Sequence, residues 1–248
     1  MLKHISSVQH PLVKHLVKLR QNRDYRYDHH SLLVEGITMV TEMRNENGYK
    51  VIVTLDEHLL PLGIKADEII TVSEGVMKKI SGVESPEGIV AEIAMPEPAS
   101  LQGKRFLIAI DGVSDPGNLG TLLRSALALG WEGAFIVEGS CDPFNEKAMR
   151  AARGATFRLP IAWGNWDALE KLIQTNQLTP LVADLSGNLL SKVASPDKIL
   201  LVLSNEARGV SQRGKKVCQP ITIEMPGDME SLNVGVAGSI MMYALRKS

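Results

Sequence analysis

Three polar, glycine-bearing stretches interrupt the apolar C-terminal half of this 248-residue chain. Each falls where a strand would hand over to a loop or helix, and that is where ligands collect in open parallel sheets. The first is DGVSDPGNLGTLLRSALALG (111–130). Asp115-Pro116-Gly117 makes a tight turn, and Asn118 is placed to cap the helix after it. Leu119, Leu122, Leu123, Ala126 and Leu127 form that helix's apolar stripe. Arg124 falls on the other side, along a face that Gly120 leaves open. The turn lacks both the G-x-G-x-x-G of a dinucleotide site and the Lys-Ser/Thr of a P-loop. The second stretch, LVLSNEARGVS (201–211), ends a buried strand at Ser204 and continues through Asn205, Glu206, Arg208 and Gly209. An acidic side chain there either caps a helix or holds a ligand hydroxyl. The third, ITIEMPGDMESLNVGVAGSIMMYAL (221–245), breaks at Met225-Pro226-Gly227 and starts a helix near Ser231. Gly235 and Gly238 lie inside that helix, where each glycine costs about 1 kcal/mol relative to alanine. Such a cost points to close backbone approach. Taken singly, the three stretches also suit a surface arginine, a cap and tight helix packing.

Several chemistries are excluded. The histidines (His4, His10, His15, His29, His30 and His58) all lie in the first quarter of the chain. The remainder therefore has no histidine of its own for Ser-His-Asp hydrolysis or for zinc. Cys141 and Cys218 form no C-x-x-C pair, so neither a disulfide framework nor a cysteine metal site is expected. No apolar run reaches membrane-spanning length, and MLKHISSVQHPLVKH lacks the pattern of a secretory leader. A soluble, cytoplasmic protein without bound metal is expected. Net charge is −1, yet Lys3, Lys14, Lys18, Arg20, Arg23 and Arg26 crowd the first thirty residues against only Asp24 and Asp28. That end is either a phosphate-contacting surface or a solvated helix face.

The elements that must carry these residues follow from periodicity. PLVKHLVKLRQ (11–21) reads as an amphipathic helix with proline in its first turn. SLLVEGITMVTEMRNENG reads as a strand or turn leading into a helix that stops at Asn47-Gly48. KVIVTL, EIITVS and GIVAEIA read as strands, with a helix capped by Ser73 before the last. Residues 1–96 thus form one small α/β domain, and the proline-containing segment 97–104 is a linker. From 105 to 248 the pattern alternates. Strands are predicted at RFLIAIDGV, GAFIVEG, TFRLPIA, PLVADL, KILLVLS and PITIEM. Helices are predicted at NLGTLLRSALAL, FNEKAMRAAR, WDALEKLIQ and SLNVGVAGSIMMYALRK. Near-continuous apolar strands such as FLIAI and ILLVL imply burial on both faces, hence a mostly parallel sheet between helical layers.

In their order and spacing the three stretches resemble the signature motifs of the SpoU/TrmH group of RNA ribose 2′-O-methyltransferases, in the SPOUT superfamily. The first motif stands as Asn118, Gly120 and Arg124. The second is Asn205-Glu206 with Gly209. The third is Met225-Pro226-Gly227 followed by Ser231-Leu232-Asn233-Val234. The resemblance covers the chain from about Leu107 onward. The front third is similar to the RNA-binding domain, itself like certain ribosomal proteins, that precedes the catalytic domain in many members.

The resemblance implies a SPOUT domain with a deep trefoil knot, S-adenosyl-L-methionine as cofactor, and a homodimer. It implies that Leu203, Ser204, Asn205, Gly209, Ile223, Met225 and Leu232 surround the cofactor. Asn118 and Arg124 would face the methyl donor and target ribose, with Ser231 and Asn233 orienting the ribose and Glu206 organising its loop. Family members are proposed to use the motif-one arginine as base. A guanidinium keeps its proton, so stabilising an alkoxide or gripping a phosphate suits Arg124 better. Lys14, Lys18 and Arg20 are the expected RNA contacts. Ser204, Glu224, Gly235 and Ala152 depart from residues common in relatives (Gly, Pro, Ser and Ser). The front domain favours ribosomal RNA over transfer RNA. The alternatives are a tRNA ribose methyltransferase, a catalytically silent RNA-binding ribosome-assembly protein, and a nucleotide-dependent oxidoreductase, which the missing dinucleotide fingerprint disfavours.

Overall fold

The structure is a computed structural model that describes residues 2–42, 48–193, 196–205 and 209–246, apart from the side chain of Glu42. It divides into two compact units, residues 1–97 with 144–146, and residues 98–143 with 147–248. No helix among the described residues is long and apolar enough to cross a membrane.

The first unit contains β1 (Lys3–Ile5), α1 (Pro11–Gln21), α2 (Arg23–His29), β2 (Ser31–Glu35), α3 (Ile37–Glu42), β3 (Tyr49–Thr54), β4 (Ala66–Val72), α4 (Glu74–Ser81) and β5 (Ile89–Ala94). Its strands form one mixed sheet in the order β1-β4-β3-β5-β2. The pairings of β4 with β1 and β3 are parallel, and those of β5 with β3 and β2 are antiparallel. Helix α1 buries Val13, Leu16 and Leu19, and α4 buries Val76, Met77 and Ile80 in the same core. Each such side chain contributes about 1.5–3 kcal/mol of apolar transfer energy. Gly82 ends α4 with φ +74°, a left-handed conformation that glycine adopts without steric cost.

The second unit contains β6 (Phe106–Asp111), α5 (Pro116–Ala128), β7 (Gly133–Val137), α6 (Glu146–Ala152), α7 (Ala155–Arg158), β8 (Ile161–Gly164), α8 (Trp166–Asn176), β9 (Thr179–Leu189), β10 (Ile199–Ser204), α9 (Gln212–Val217), β11 (Gln219–Thr222) and α10 (Val234–Leu245). Its sheet runs β11-β9-β10-β6-β7-β8, and every one of these pairings is parallel. Ile108, Ile110, Leu201 and Leu203 enter the core on one face, and Leu107, Ala109, Leu200 and Val202 the core on the other. The continuous apolar runs therefore mark strands covered on both sides.

The structure corrects four local expectations. The segment TFRLPIA is not a strand throughout: Ala155–Arg158 is a helical turn, and the strand begins at Ile161. Asn118 does not cap α5; Asp115 does, accepting from the Asn118 N–H at 2.7 Å, with Pro116 in the first turn. The last helix starts at Val234, not near Ser231. Finally, Gly120 leaves no open face. It is buried, and a Cβ there would stand 2.4 Å from the Ala148 carbonyl oxygen, so the glycine lets α5 and α6 touch.

Candidate active site

Strands β6, β9 and β10 end at the same edge of the sheet, and the three motifs meet there. Asn205 follows β10, and its Nδ2 donates to the Gly112 carbonyl at 3.1 Å and to Ser114 Oγ at 3.2 Å. This ties the second motif to the turn that leads into the first. The Gly209 N–H donates to the Asn205 carbonyl at 2.8 Å, so the two ends of the second motif bridge each other. Gly209 has φ +66°, where a side chain would be strained.

The first and third motifs are joined by an amide pair. Asn233 caps α10, its Oδ1 accepting from the N–H groups of Gly235 (2.9 Å) and Val236 (3.3 Å). Its Nδ2 donates to Asn118 Oδ1 at 2.9 Å. One side chain thus starts a helix and aims a neighbour. The pairing depends on how closely α10 lies against α5. Ser125 and Ser239 hydroxyls meet at 2.7 Å, and Trp131 Nε1 donates to the Met242 carbonyl at 3.2 Å. A Cβ on Gly238 would come within 2.5 Å of Leu122 and 2.9 Å of Leu203. The close approach inferred from the helical glycines is real at that position. Arg124 lies on the exposed face of α5 and has no hydrogen bond or ion pair among the described residues. Its charge is available to something outside the chain.

Beside this array is an open cleft with a cavity volume of about 210 Å³. Ser204, Asn205, Gly209, Ile223, Met225 and Leu232 line it, as does Ser231. Leu203 does not; its side chain is fully buried beneath, against Gly238. Glu206 and Arg208 lie outside the described residues. The sequence reading missed Asp184, Thr222, Ala237 and Met241, all on the cleft wall. Asp184 was legible: it stands near the carboxyl end of the PLVADL strand run, where the rule that located the other motifs applies equally. The helical residues carry no local signal, because they reach the cleft only through the packing of α10.

In the first unit Lys14 and Lys18 are exposed, and Lys18 Nζ lies 5.4 Å from the centre of the Tyr25 ring. Arg20 is half-buried, its guanidinium laid over Gly82, where a Cβ would meet Nη1 at 2.0 Å. Its Nη1 donates to Glu146 Oε2 at 2.8 Å, so its charge is already paired.

The model of the SpoU rRNA Methylase family matches residues 105–243. This chain belongs to that family. The MRM3-like substrate binding domain matches residues 10–91 of the same SpoU methylase. It is 30% identical to the 23S rRNA (guanosine(2553)-2'-O)-methyltransferase RlmP of Bacillus subtilis, over 99% of this chain and 100% of that protein. The crystal structure of an AdoMet-bound rRNA methyltransferase from Sinorhizobium meliloti superimposes with a TM-score of 0.85 at 26% identity, covering 99% of this chain and 97% of that one. A structure described as a TrmH-family RNA methyltransferase from Porphyromonas gingivalis gives 0.83 at 28% identity, covering 97% and 98%.

The cleft fits S-adenosylmethionine on its own chemistry. Its lining includes the apolar side chains of Ile223, Val210 and Met241, a surface suited to a flat adenine. Ser204 Oγ is buried at its edge without a hydrogen-bond partner among the described residues, a state that costs about 1–3 kcal/mol unless a ligand or water supplies one.

Proposed function

We propose that this SpoU methylase methylates a ribose 2′-hydroxyl in ribosomal RNA. The observation that carries the reading is the Asn233–Asn118 amide pair next to a cleft suited to S-adenosylmethionine, with Arg124 exposed on the same helix as Asn118. Family membership and the names of its relatives support the same reading. Ser204, Asn205, Gly209, Ile223, Met225 and Leu232 hold the cofactor, with Leu203 supporting them from the core. When bound, S-adenosylmethionine supplies an electrophilic methyl group.

The chain supplies position and charge. Asn118, held by Asn233, and Ser231 orient the ribose. Holding reactants in line is worth several kcal/mol. Arg124 meets the oxygen as it gives its proton to water, or the adjacent phosphate, as a fixed cation worth about 3–4 kcal/mol. Residues 1–96 bind RNA through Lys14 and Lys18, and 97–104 link them to the catalytic domain 105–248. The C-terminal segment is knotted, as the family resemblance implies.

A second copy of the chain covers α10. Val236, Ile240 and Tyr243 repeat at helical spacing and are 48%, 41% and 73% exposed, an apolar stripe that a partner would bury. Sedimentation velocity tests this: a dimer is expected, and a monomer at all concentrations contradicts it.

The activity is tested by incubating the protein with labelled S-adenosylmethionine and unmodified large-subunit rRNA, small-subunit rRNA or tRNA. Label should enter one rRNA fraction and fall about 10²–10³-fold with Arg124→Ala. Label only in tRNA would overturn the substrate, and no label in any fraction or assembly intermediate would overturn the enzyme.

A further inference from the structure

The wall of the cleft opposite α10 contains a feature the proposed mechanism leaves unused. In the β9–β11 pairing Val182 stands opposite Pro220, but Ile221 stands opposite Asn188. Residues 183–187 therefore bulge from the sheet at a single step of β11. Gly187 makes the bulge possible, since a Cβ there would fall 2.4 Å from the Ile221 nitrogen and 2.6 Å from its Cα. The bulge is braced by Asp184, whose Oδ1 accepts from Ser186 N–H at 2.9 Å and from Ser186 Oγ at 2.7 Å. Those bonds hold its carboxyl below the usual carboxylate range; burial opposes them weakly and Lys215 adds to them. Asp184 is the only charged side chain among the described residues lining the cleft.

A fixed anion on the described part of the wall has a consequence for ligand choice. S-adenosylmethionine carries a sulfonium, an ammonium and a carboxylate, so its net charge is +1. Demethylation removes the sulfonium charge and leaves S-adenosylhomocysteine net neutral with almost the same shape. Apolar contacts cannot separate two ligands of one shape; a fixed charge can.

We propose that Asp184 is the residue that makes the cleft prefer the cationic methyl donor over its neutral product. It is a specificity and positioning residue, acting through charge at the cofactor's sulfonium end, and the inference rests on the cleft being the cofactor site. The half-buried setting and the opposing charge of Lys215 keep the effect modest, about three- to tenfold in relative affinity.

Binding calorimetry at low ionic strength tests it on wild type and Asp184→Asn. Asparagine keeps an oxygen for Ser186, so the bulge persists while the charge is lost. Three ligands are compared: S-adenosylmethionine, S-adenosylhomocysteine, and sinefungin, in which a carbon bearing an ammonium replaces the methylated sulfur. Asp184→Asn should weaken S-adenosylmethionine and sinefungin about three- to tenfold and leave S-adenosylhomocysteine within about twofold. Equal weakening of all three would show that Asp184 serves the shared ammonium or the fold, and no change would remove it from the site; either result overturns the proposal. Ala237→Phe separates this failure from failure of the cleft itself. It should abolish binding of every ligand. Retained binding in Ala237→Phe would overturn the cofactor site, and the Asp184 inference with it.

Discussion

Gly120→Ala tests how the catalytic helix is held. By helix propensity alone the substitution stabilises α5 by about 1 kcal/mol. The structure reverses that sign. The new Cβ would stand 2.4 Å from the Ala148 carbonyl oxygen, 2.6 Å from Ala151 Cβ and 2.8 Å from the Ala152 nitrogen. Two of these are backbone atoms of α6 and cannot rotate aside. Restoring ordinary contacts of about 3.5 Å requires the helices to part by roughly 1 Å. Overpacking of this kind costs about 3 kcal/mol at the upper end of its usual range. Subtracting the propensity gain leaves a net loss of about 2 kcal/mol, or a melting point lower by roughly 4–8 °C for a unit of this size. Trp131, Trp163 and Trp166 all lie in the second unit, so tryptophan fluorescence during urea unfolding reads that unit alone. Methyl transfer should fall as well, because α5 bears Asn118 and Arg124. A variant as stable as the parent, or more so, would refute the claim that this glycine exists for helix contact.

Four further outcomes are expected. Asn233→Ala should cost about 1 kcal/mol through loss of the α10 cap, whereas Asn233→Asp should stay within ~0.5 kcal/mol of wild type. Both should lose methyl transfer, since neither can donate to Asn118; denaturation and turnover measured together check the split. Burial first, then the charges of Asp111 and Glu170, push the Cys218 thiol up to about 12, so at pH 8 iodoacetamide should modify Cys141 and spare Cys218 until the protein unfolds, as intact-mass analysis will show. The unfolded thiol ionises near 9.0 and the folded one near 12, so this group's contribution is intact below pH 9 and is lost as pH rises between those values. RNA affinity should fall with added salt, and Lys14→Gln with Lys18→Gln should reduce the log–log slope by roughly 1–2. Arg20→Gln should instead lower the stability of the first unit, because its guanidinium pairs with Glu146 and packs on Gly82.

The sequence by itself determined the alternation of strands and helices, the parallel sheet, and the three motifs as one chemical group. These are local or periodic properties: apolar runs of strand length, turn residues at fixed offsets, and polar side chains just past strand ends. Even Gly238 could be read for close packing, because a helical glycine has a known cost and needs a reason. What surrounds each residue was decided only in three dimensions. Propensity marks Asn118 as a good cap, but Asp115 takes that role and leaves the Asn118 amide for Asn233, 115 residues away. An arginine in a basic helix reads as a phosphate contact until its partner surface is known, and Arg20 turns out to cover Gly82. The bulge that brings Asp184 to the cleft arises from a register shift between β9 and β11. Register depends on how two distant strands settle against a shared core, which no periodicity within either strand encodes.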